Sequence, residues 1–213
     1  MKNFNNPQFI TFEGGEGSGK STQSKKLHEY FLSKNIKAIS TREIGGTKEA
    51  EEIRELLLNR DLYSFSELML VMAARYEHIN KIIYPALKDG YNVICDRFID
   101  STACYQVDNL VTIEYIFRLH KKLMRATVDN TQSIMPDVTF FMDINPQSGV
   151  KRSIKSKDTN KFENKNMNFH QEVYKRFKQI ANLCPKRIKS IQCEGKRINE
   201  IHQEILTILT QNK

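Results

Sequence analysis

One octapeptide near the N-terminus constrains the fold of this 213-residue chain more than any other feature. Residues 14–21 read Gly-Gly-Glu-Gly-Ser-Gly-Lys-Ser, which matches the pattern G-x-x-x-x-G-K-[ST]. A short β-branched and aromatic segment, 9–13, precedes the motif, and segment 20–34 follows it with apolar residues at helical spacing. Such a strand, turn and helix let successive backbone N–H groups point into one concavity at the positive end of the helix. The motif therefore predicts a phosphate-binding loop, and its glycine spacing does not fit the dinucleotide pattern G-x-G-x-x-G.

The remainder of the chain alternates between predicted strands and predicted helices. Strands that are apolar along their whole length are typical of a parallel sheet covered by helices on both faces. We expect one α/β domain, residues 1–213, with a three-layer α/β/α phosphate-loop fold around a central five-stranded parallel sheet. The polar segment at about 152–166 is predicted to form a small lid. The predicted strands are 9–13, 36–41, 91–95, 138–142 and 188–192, and the predicted helices are 20–34, 48–58, 66–88, 112–124, 147–154, 169–183 and 198–209.

Two local signals refine the predicted helices. Thr47 directly precedes the helix at 48–58, and a threonine in this position commonly accepts a hydrogen bond from the first turn. Pro85 falls late in the long helix predicted at 66–88, where a missing N–H favours a kink.

Composition excludes several classes of protein. The longest apolar run, residues 68–74, is far shorter than the roughly 20 residues that a membrane helix needs. The first residues carry no apolar segment typical of a secretory signal. The four cysteines form no C-x-x-C pair and are too few for a disulfide framework in a chain of this length. We expect a cytoplasmic protein with free thiols and no membrane partner.

The net charge of +8 allows two interpretations. A basic surface could bind nucleic acid, but Lys and Arg are spread along the chain, with local enrichment only at 151–165 and 175–189. A protein that handles several phosphate groups also needs a positive field, because the field concentrates anionic substrates. We favour the second interpretation and expect no nucleic-acid partner.

Four further segments carry a resemblance. They read T-R-E-I-G-G-T at 41–47, A-A-R at 73–75, D-R-F followed by S-T-A-C-Y-Q within 96–106, and P-D followed by F-M-D within 136–143. Each lies just after a predicted strand or on an adjoining helix, where ligands bind in open α/β sheets. In order and spacing these segments, together with the loop, resemble the bacterial form of thymidylate kinase over nearly the whole chain.

The resemblance implies an activity. Members of this family transfer the γ-phosphoryl group of ATP to dTMP, which yields dTDP and ADP, and they use Mg²⁺. They are usually homodimers, so the resemblance implies a homodimer here. Two alternatives stay open at this point, namely a nucleoside monophosphate kinase with another acceptor and a non-enzymatic nucleotide-dependent binding protein.

The phosphate loop supplies the predicted donor site. Lys20 is expected to reach the β- and γ-phosphates of ATP, and the Ser21 hydroxyl is expected to ligate Mg²⁺. The resemblance places Glu16 opposite the 3′-hydroxyl of the dTMP sugar, whereas the alternative is a solvated loop carboxylate. The predicted ATP-binding set is Gly14, Gly15, Glu16, Gly17, Ser18, Gly19, Lys20, Ser21 and Thr22.

The predicted catalytic set adds two arginines to Lys20 and Glu16. Arg97 resembles the family arginine that bridges donor and acceptor phosphates, a task that suits a planar guanidinium with several donors. Asp96 beside it is a candidate Mg²⁺ ligand, although the two residues could instead form a structural ion pair. Arg152, the arginine in the predicted lid segment, completes the predicted catalytic set.

The acceptor site is implied by the resemblance alone. Arg75 matches an arginine that contacts the base carbonyl, and Thr102 and Gln106 occupy base-contacting positions. Tyr105 matches the ring that excludes a ribose 2′-hydroxyl. The full predicted set is Arg42, Val71, Arg75, Arg97, Phe98, Ser101, Thr102, Tyr105 and Gln106.

Three departures from the family pattern matter. Val71 stands where most members have a phenylalanine that stacks on thymine, so either dTMP binds more weakly or another ring, with Phe98 as the candidate, replaces it. Ile44 replaces a proline, which removes a constraint on φ and is expected to loosen its loop. The lid carries Lys155, Lys157 and Lys161 in place of most family arginines, and an ammonium group cannot hold two phosphate oxygens in one plane.

Overall fold

A computed structural model describes residues 6–124, 133–154 and 165–211. The described residues contain a five-stranded sheet in which every pairing is parallel, with the order β2-β3-β1-β4-β5. This arrangement confirms the predicted α/β fold with a central parallel sheet. The strands are β1 (Phe9–Glu13), β2 (Ala38–Arg42), β3 (Asn92–Asp96), β4 (Val138–Asp143) and β5 (Ile188–Gln192).

The helices agree with the predicted segments except at two places. A seven-residue helix directly after β3, α5, was not predicted. Thr47 caps α2 as expected, because its Oγ1 accepts a hydrogen bond from the Ala50 N–H at 3.1 Å. The helices are α1 (Lys20–Ser33), α2 (Lys48–Asn59), α3 (Ser64–His78), α4 (Tyr84–Lys88), α5 (Ile99–Tyr105), α6 (Ile113–Leu123), α7 (Pro146–Ser153), α8 (Met167–Leu183) and α9 (Ile198–Gln211).

The long helical stretch after residue 63 contains a wider turn where a kink was expected. A π-helical turn, Ile79–Ile83, connects α3 to α4, and Pro85 lies just after it. Proline lacks an N–H and its ring crowds the carbonyl of the preceding turn, so a local widening of the helix accommodates it. The stretch ends at Gly90, whose φ of +81° lies in the left-handed region.

Side chains on alternate strand positions build a core on each face of the sheet. Phe9 of β1 and Val93 of β3 belong to the cluster that packs against α3, α5, α6 and α8. Ile10 and Ile94, the next residues along the same strands, belong to the cluster beneath α1 and α9. The strands are therefore buried on both sides, which explains why their sequences are apolar throughout. Among the described helices, none has the length and apolar character needed to cross a membrane.

The chain order places two loops side by side above the sheet. β1 and β3 are neighbours, with Phe12 paired to Asp96 at their carboxyl ends. The chain leaves β1 toward α1 on one face and leaves β3 toward α5 on the other. Such a change of face opens a crevice between the two loops, which is where ligands bind in open α/β sheets.

Candidate active site

The phosphate loop leads from β1 into α1 with its lysine folded back over the loop. Gly19 is the residue that precedes α1, and its φ of +91° requires the left-handed region that glycine tolerates. The Lys20 Nζ donates to the Gly15 carbonyl at 2.7 Å and lies 3.3 Å from the Ser18 hydroxyl. Burial and the nearby Arg97 lower the pKa of Lys20 to about 8, so the ammonium group keeps its charge at neutral pH.

Arg97 lies directly against this loop. Its guanidinium donates hydrogen bonds to the Gly14 carbonyl at 3.1 Å and to Glu16 Oε1 at 2.8 Å. The guanidinium carbon also lies over the Tyr105 ring, 5.1 Å from the ring centroid. The Tyr105 hydroxyl donates to the same Glu16 oxygen at 2.9 Å. Two cationic groups, Lys20 and Arg97, therefore both contact the same loop.

Glu16 is not a solvated loop residue. Only 14% of its side chain is exposed. Burial by itself raises the pKa of Glu16, but the charges of Arg97 and Lys20 outweigh it and hold this pKa at about 2. The carboxylate is thus ionised at any physiological pH and orients both Arg97 and Tyr105.

Asp96 and Ser21 form an oxygen-rich corner beside the loop. The Ser21 hydroxyl donates to Asp96 Oδ2, while Oδ1 of the same carboxylate is buried without a partner among the described residues. The structure pairs Arg97 with Glu16, so the alternative of an Asp96–Arg97 structural ion pair is not realised. A partnerless carboxylate oxygen beside a hydroxyl fits a hard cation such as Mg²⁺, which takes one or two protein oxygens and completes its shell with water and phosphate. No cluster of three or more metal-ligating side chains occurs in the described part of the chain.

A cavity of about 620 Å³ opens beside these groups, and most of the predicted residues line it. Gly14, Gly15 and Ser18 lie outside its lining, where Gly14 and Gly15 support Arg97 and Lys20 through their carbonyls. The predicted residues that line the cavity are Glu16, Gly17, Gly19, Lys20, Ser21, Thr22, Arg42, Val71, Arg75, Asp96, Arg97, Phe98, Ser101, Thr102, Tyr105, Gln106 and Arg152.

A buried polar network anchors Arg75, which also lines the cavity. Arg75 is 1% exposed and donates from Nε to Glu43 Oε2 and from NH2 to Thr102 Oγ1, both at 2.7 Å. Glu43 also contacts the His78 Nδ1 at 3.0 Å. Burial raises the pKa of Glu43, but the charge of Arg75 and the hydrogen bond with His78 together outweigh it, so the net shift is downward. Arg75 is therefore held in one orientation before any ligand binds.

The structure gives Val71 and Phe98 different surroundings. Val71 lies in an aliphatic wall with Ile44 and Leu57. Phe98 is 1% exposed. Its ring packs edge-to-face with that of Phe9 at a centroid distance of 4.8 Å, and the Arg75 guanidinium lies over it, 4.8 Å from its centroid. With its ring so enclosed, Phe98 does not offer an open face to a base. The structure therefore does not support Phe98 as the substitute for the missing stacking ring.

Comparison with known proteins agrees with the geometry. A family model described as thymidylate kinase matches residues 12–205. The chain is 47% identical to the thymidylate kinases of Rickettsia canadensis (strain McKiel) and Rickettsia africae (strain ESF-5), over 96% of this chain and 98% of each relative. The chain belongs to the thymidylate kinase family. A crystal structure of thymidylate kinase from Ehrlichia chaffeensis matches with a TM-score of 0.73 at 36% identity, covering 95% of this chain and 98% of that chain.

The sequence did not reveal part of this thymidylate kinase cavity. Arg54, Leu57 and Leu58 share one face of α2 at spacings of three and four residues, which only the packing of α2 against α3 directs toward the cavity. That spacing was the signal in the sequence from which these three residues could have been assigned to one face of the helix. The cavity residues absent from the predicted sets are Glu43, Ile44, Arg54, Leu57, Leu58 and Ser153.

The loop around Ile44 is anchored despite the loss of proline. The peptide bond between Glu43 and Ile44 is cis, and the Arg54 guanidinium donates to the Ile44 carbonyl at 3.0 Å. The Gly46 N–H donates to Glu51 Oε1 at 3.0 Å. The expected loosening of this loop is therefore countered by side chains of α2.

Only the two ends of the predicted lid, 152–154 and 165–166, fall in the described structure. Arg152 and Ser153, at the end of α7, line the cavity. Asn166 caps α8 by accepting a hydrogen bond from the Phe169 N–H at 3.0 Å. Lys155, Lys157 and Lys161 lie outside the described residues.

Proposed function

We propose that this protein transfers the γ-phosphoryl group of ATP to dTMP and releases dTDP and ADP. The observation that carries the proposal is the position of Arg97, whose guanidinium contacts the phosphate loop at Gly14 and Glu16. A phosphoryl group that moves from a donor held by Lys20 to an acceptor held near Arg75 passes this guanidinium. The aliphatic side chain of Val71 and the buried Arg75, which both line the cavity, suit a nucleobase. Tyr105 contacts Glu16 and Arg97 in the same cavity.

The chain's own residues supply positioning and charge neutralisation. The loop amides and Lys20 hold the β- and γ-phosphates, and Arg97 neutralises the charge that spreads over the transferring group. No enzyme nucleophile is required, because an oxygen of the dTMP phosphate attacks the γ-phosphorus directly. The ionised Glu16 orients Arg97 and is available to accept a hydrogen bond from the 3′-hydroxyl of the acceptor sugar.

We propose Ser21 and Asp96 as the protein ligands of Mg²⁺. Their support is the partnerless Asp96 Oδ1 beside the Ser21 hydroxyl. When bound there, Mg²⁺ neutralises the charge of the donor phosphates. Asp96 is the last residue of β3 and Ser21 lies in the first turn of α1, directly after the glycines of the phosphate loop.

We propose a single kinase domain, residues 1–213, whose segment 152–166 acts as a lid. The support is the position of Arg152 on the cavity wall at the end of α7. A lid that closes over the phosphates excludes water, which would otherwise accept the phosphoryl group and waste ATP. Arg152 then adds a second guanidinium to the donor side.

A homodimer in the cytoplasm is the proposed state of the protein. Phe65 and Tyr76 on α3 are 49% and 40% exposed, so this helix offers an apolar outer face to a second copy. The stretch 68–72 considered from the sequence includes the buried Leu68 and Met72 and contributes less to that face. All four cysteines are free thiols, as is typical of a reducing compartment. Light scattering coupled to gel filtration measures the mass: about twice 24.9 kDa supports the dimer and a mass near 24.9 kDa contradicts it.

An acceptor panel tests the proposed reaction. ADP formation is measured with ATP, Mg²⁺ and each of the common nucleoside monophosphates in turn. Turnover that depends on dTMP supports the proposal. Turnover with another monophosphate alone supports the second candidate, a kinase with a different acceptor, which the valine at position 71 favours because an aliphatic wall does not single out thymine by stacking.

A further inference from the structure

Glu13 is a fully buried carboxylate at the end of β1, one residue before the phosphate loop. Its Oε1 accepts a hydrogen bond from the Phe98 N–H at 2.7 Å, and its Oε2 accepts one from the Ser101 hydroxyl at 2.5 Å. Burying a carboxylate is costly even when it is hydrogen-bonded. The reaction mechanism above assigns this residue no contact with either substrate, so its burial calls for a different explanation.

Both donors to Glu13 belong to the segment that presents Arg97. The Arg97 backbone has a φ of +69°, a left-handed conformation that residues with side chains seldom adopt. Its own N–H donates to the Phe12 carbonyl at 2.9 Å, and the next N–H, that of Phe98, donates to Glu13. Two consecutive hydrogen bonds to the end of β1 therefore hold this conformation.

Ser101 extends the same contact to the guanidinium. Its hydroxyl oxygen accepts a hydrogen bond from Arg97 NH1 at 3.0 Å while its proton is donated to Glu13. This direction of donation requires an acceptor at Glu13, which an ionised carboxylate supplies without competition. Glu13 thus fixes Arg97 at its backbone through Phe98 and at its side chain through Ser101.

The groups around Glu13 shift its pKa in opposite directions. Asp100 on α5 faces it, and Arg187, the residue before β5, holds Asp100 through two hydrogen bonds of 2.6 and 2.7 Å. Arg97 and Lys20 face it from the loops, and the thiols of Cys95 and Cys104 from β3 and α5. Burial and Asp100 raise the pKa of Glu13 to about 7, against the lowering effects of Ser101, Arg97 and Phe98. Protonation near neutral pH would give Glu13 a proton to donate and weaken one of its two acceptor contacts.

We infer that Glu13 is a positioning residue whose ionised carboxylate holds Arg97 in the geometry required for phosphoryl transfer. The inference rests on the proposed function, because it concerns the rate of that transfer. Glu13 itself touches neither substrate in this scheme. It therefore acts on kcat far more than on the KM of ATP or dTMP.

The kinetic test compares the wild type with Glu13→Gln between pH 5.5 and 7.5, a range that lies below the Lys20 pKa of about 8, so that loss of the Lys20 charge does not dominate the profile. In the wild type, kcat is expected to rise on the order of tenfold per pH unit well below pH 7 and to flatten as the pH approaches 7.5. In Glu13→Gln, kcat at pH 7.5 is expected to fall by about tenfold or more, with both KM values within about twofold and no rise with pH. A Glu13→Gln enzyme that keeps the wild-type kcat and its rise with pH overturns the inference.

Asp143→Asn is the matched control. Asp143 is a buried carboxylate at the end of β4 that accepts hydrogen bonds from Tyr174, Lys178 and Gln192, away from Arg97. This variant is expected to lose thermal stability and to keep the wild-type dependence of kcat on pH. If it loses that dependence as well, the rise does not come from Glu13 and the inference fails.

A spectroscopic measurement separates this inference from the proposed function and does not depend on a variant that folds. The Phe98 amide ¹H–¹⁵N signal of the wild type, without substrates, is expected to shift with a midpoint near pH 7 as its acceptor ionises. A shift of this kind supports the geometry even if dTMP is not the acceptor. A Phe98 amide that does not respond between pH 5.5 and 8.5, in an enzyme that turns over dTMP, overturns the inference and leaves the proposed function intact.

Discussion

Gly149→Ala tests how closely the phosphate loop is packed against α7. A Cβ on Gly149 would lie 2.4 Å from the Glu16 carbonyl oxygen, and a Cβ on Gly17 would lie 1.9 Å from the Gly149 carbonyl oxygen. The atoms in contact are backbone on both sides, so neither can rotate away as the end of a side chain would. The only relief is to separate α7 from the loop.

Two opposing effects set the change in stability. Alanine in place of glycine in a helix stabilises it by about 1 kcal/mol. Moving the new Cβ from 2.4 Å to an ordinary contact distance requires about 1 Å of displacement, and overpacking of this kind costs about 1–3 kcal/mol. The free energy of unfolding is therefore expected to fall by no more than about 2 kcal/mol, a decrease in Tm of at most about 8 °C for a chain of this size.

Catalysis is expected to change far more than stability. A displacement of about 1 Å moves Glu16 and Gly17 away from the position in which the loop holds phosphate, and a misplacement of that size can cost on the order of 10²-fold in rate. We expect kcat/KM for ATP to fall by about ten- to a hundredfold in a coupled ADP assay, with Tm measured in parallel. Ser148→Ala, one position earlier in α7, introduces alanine without the contact and is expected to keep the wild-type kcat/KM. A Gly149→Ala enzyme that is more stable than the wild type and has unchanged kcat/KM for ATP would refute the reasoning.

Three further predictions concern the reacting groups. Arg97→Ala is expected to lower kcat by about 10³-fold while the Kd of ATP, measured by calorimetry, stays within a few fold; a near-normal kcat would remove Arg97 from the catalytic set. Asp96→Asn removes one charge from the corner it forms with Ser21, so the Mg²⁺ concentration for half-maximal activity is expected to rise about tenfold or more, and an unchanged Mg²⁺ titration would contradict the proposed site. Val71→Phe adds a ring to an aliphatic wall of the cavity, and stacking worth roughly 1–3 kcal/mol would lower the KM of dTMP by about fivefold or more, whereas an unchanged KM would show that the added ring does not reach the base.

The sequence predicted the fold because its signals are local. The octapeptide at 14–21 requires a strand before it and a helix after it, and both flanking segments carry the matching periodicity. The short helix α5 escaped prediction because nearly all of its residues are buried, from Ile99 to Cys104, so no amphipathic pattern marks it. The π-helical turn before Pro85 was not predicted for a different reason. A proline in a helix predicts an irregularity, but it does not determine whether the helix kinks or widens.

The active-site residue types followed from motif order, but their partners did not. The sequence indicated that Glu16 and Arg97 matter, and it left open whether Arg97 pairs with Asp96. Only the parallel pairing of β1 with β3 brings together the loops that follow these strands, and Arg97 then forms an ion pair with Glu16. The contact of Phe98 with Phe9 and the contact of Glu13 with Ser101 likewise join residues that are 85 or more positions apart in the sequence. Spacing along a chain specifies which side chains a segment presents, whereas the charge, burial and orientation of each depend on neighbours that only the folded sheet supplies.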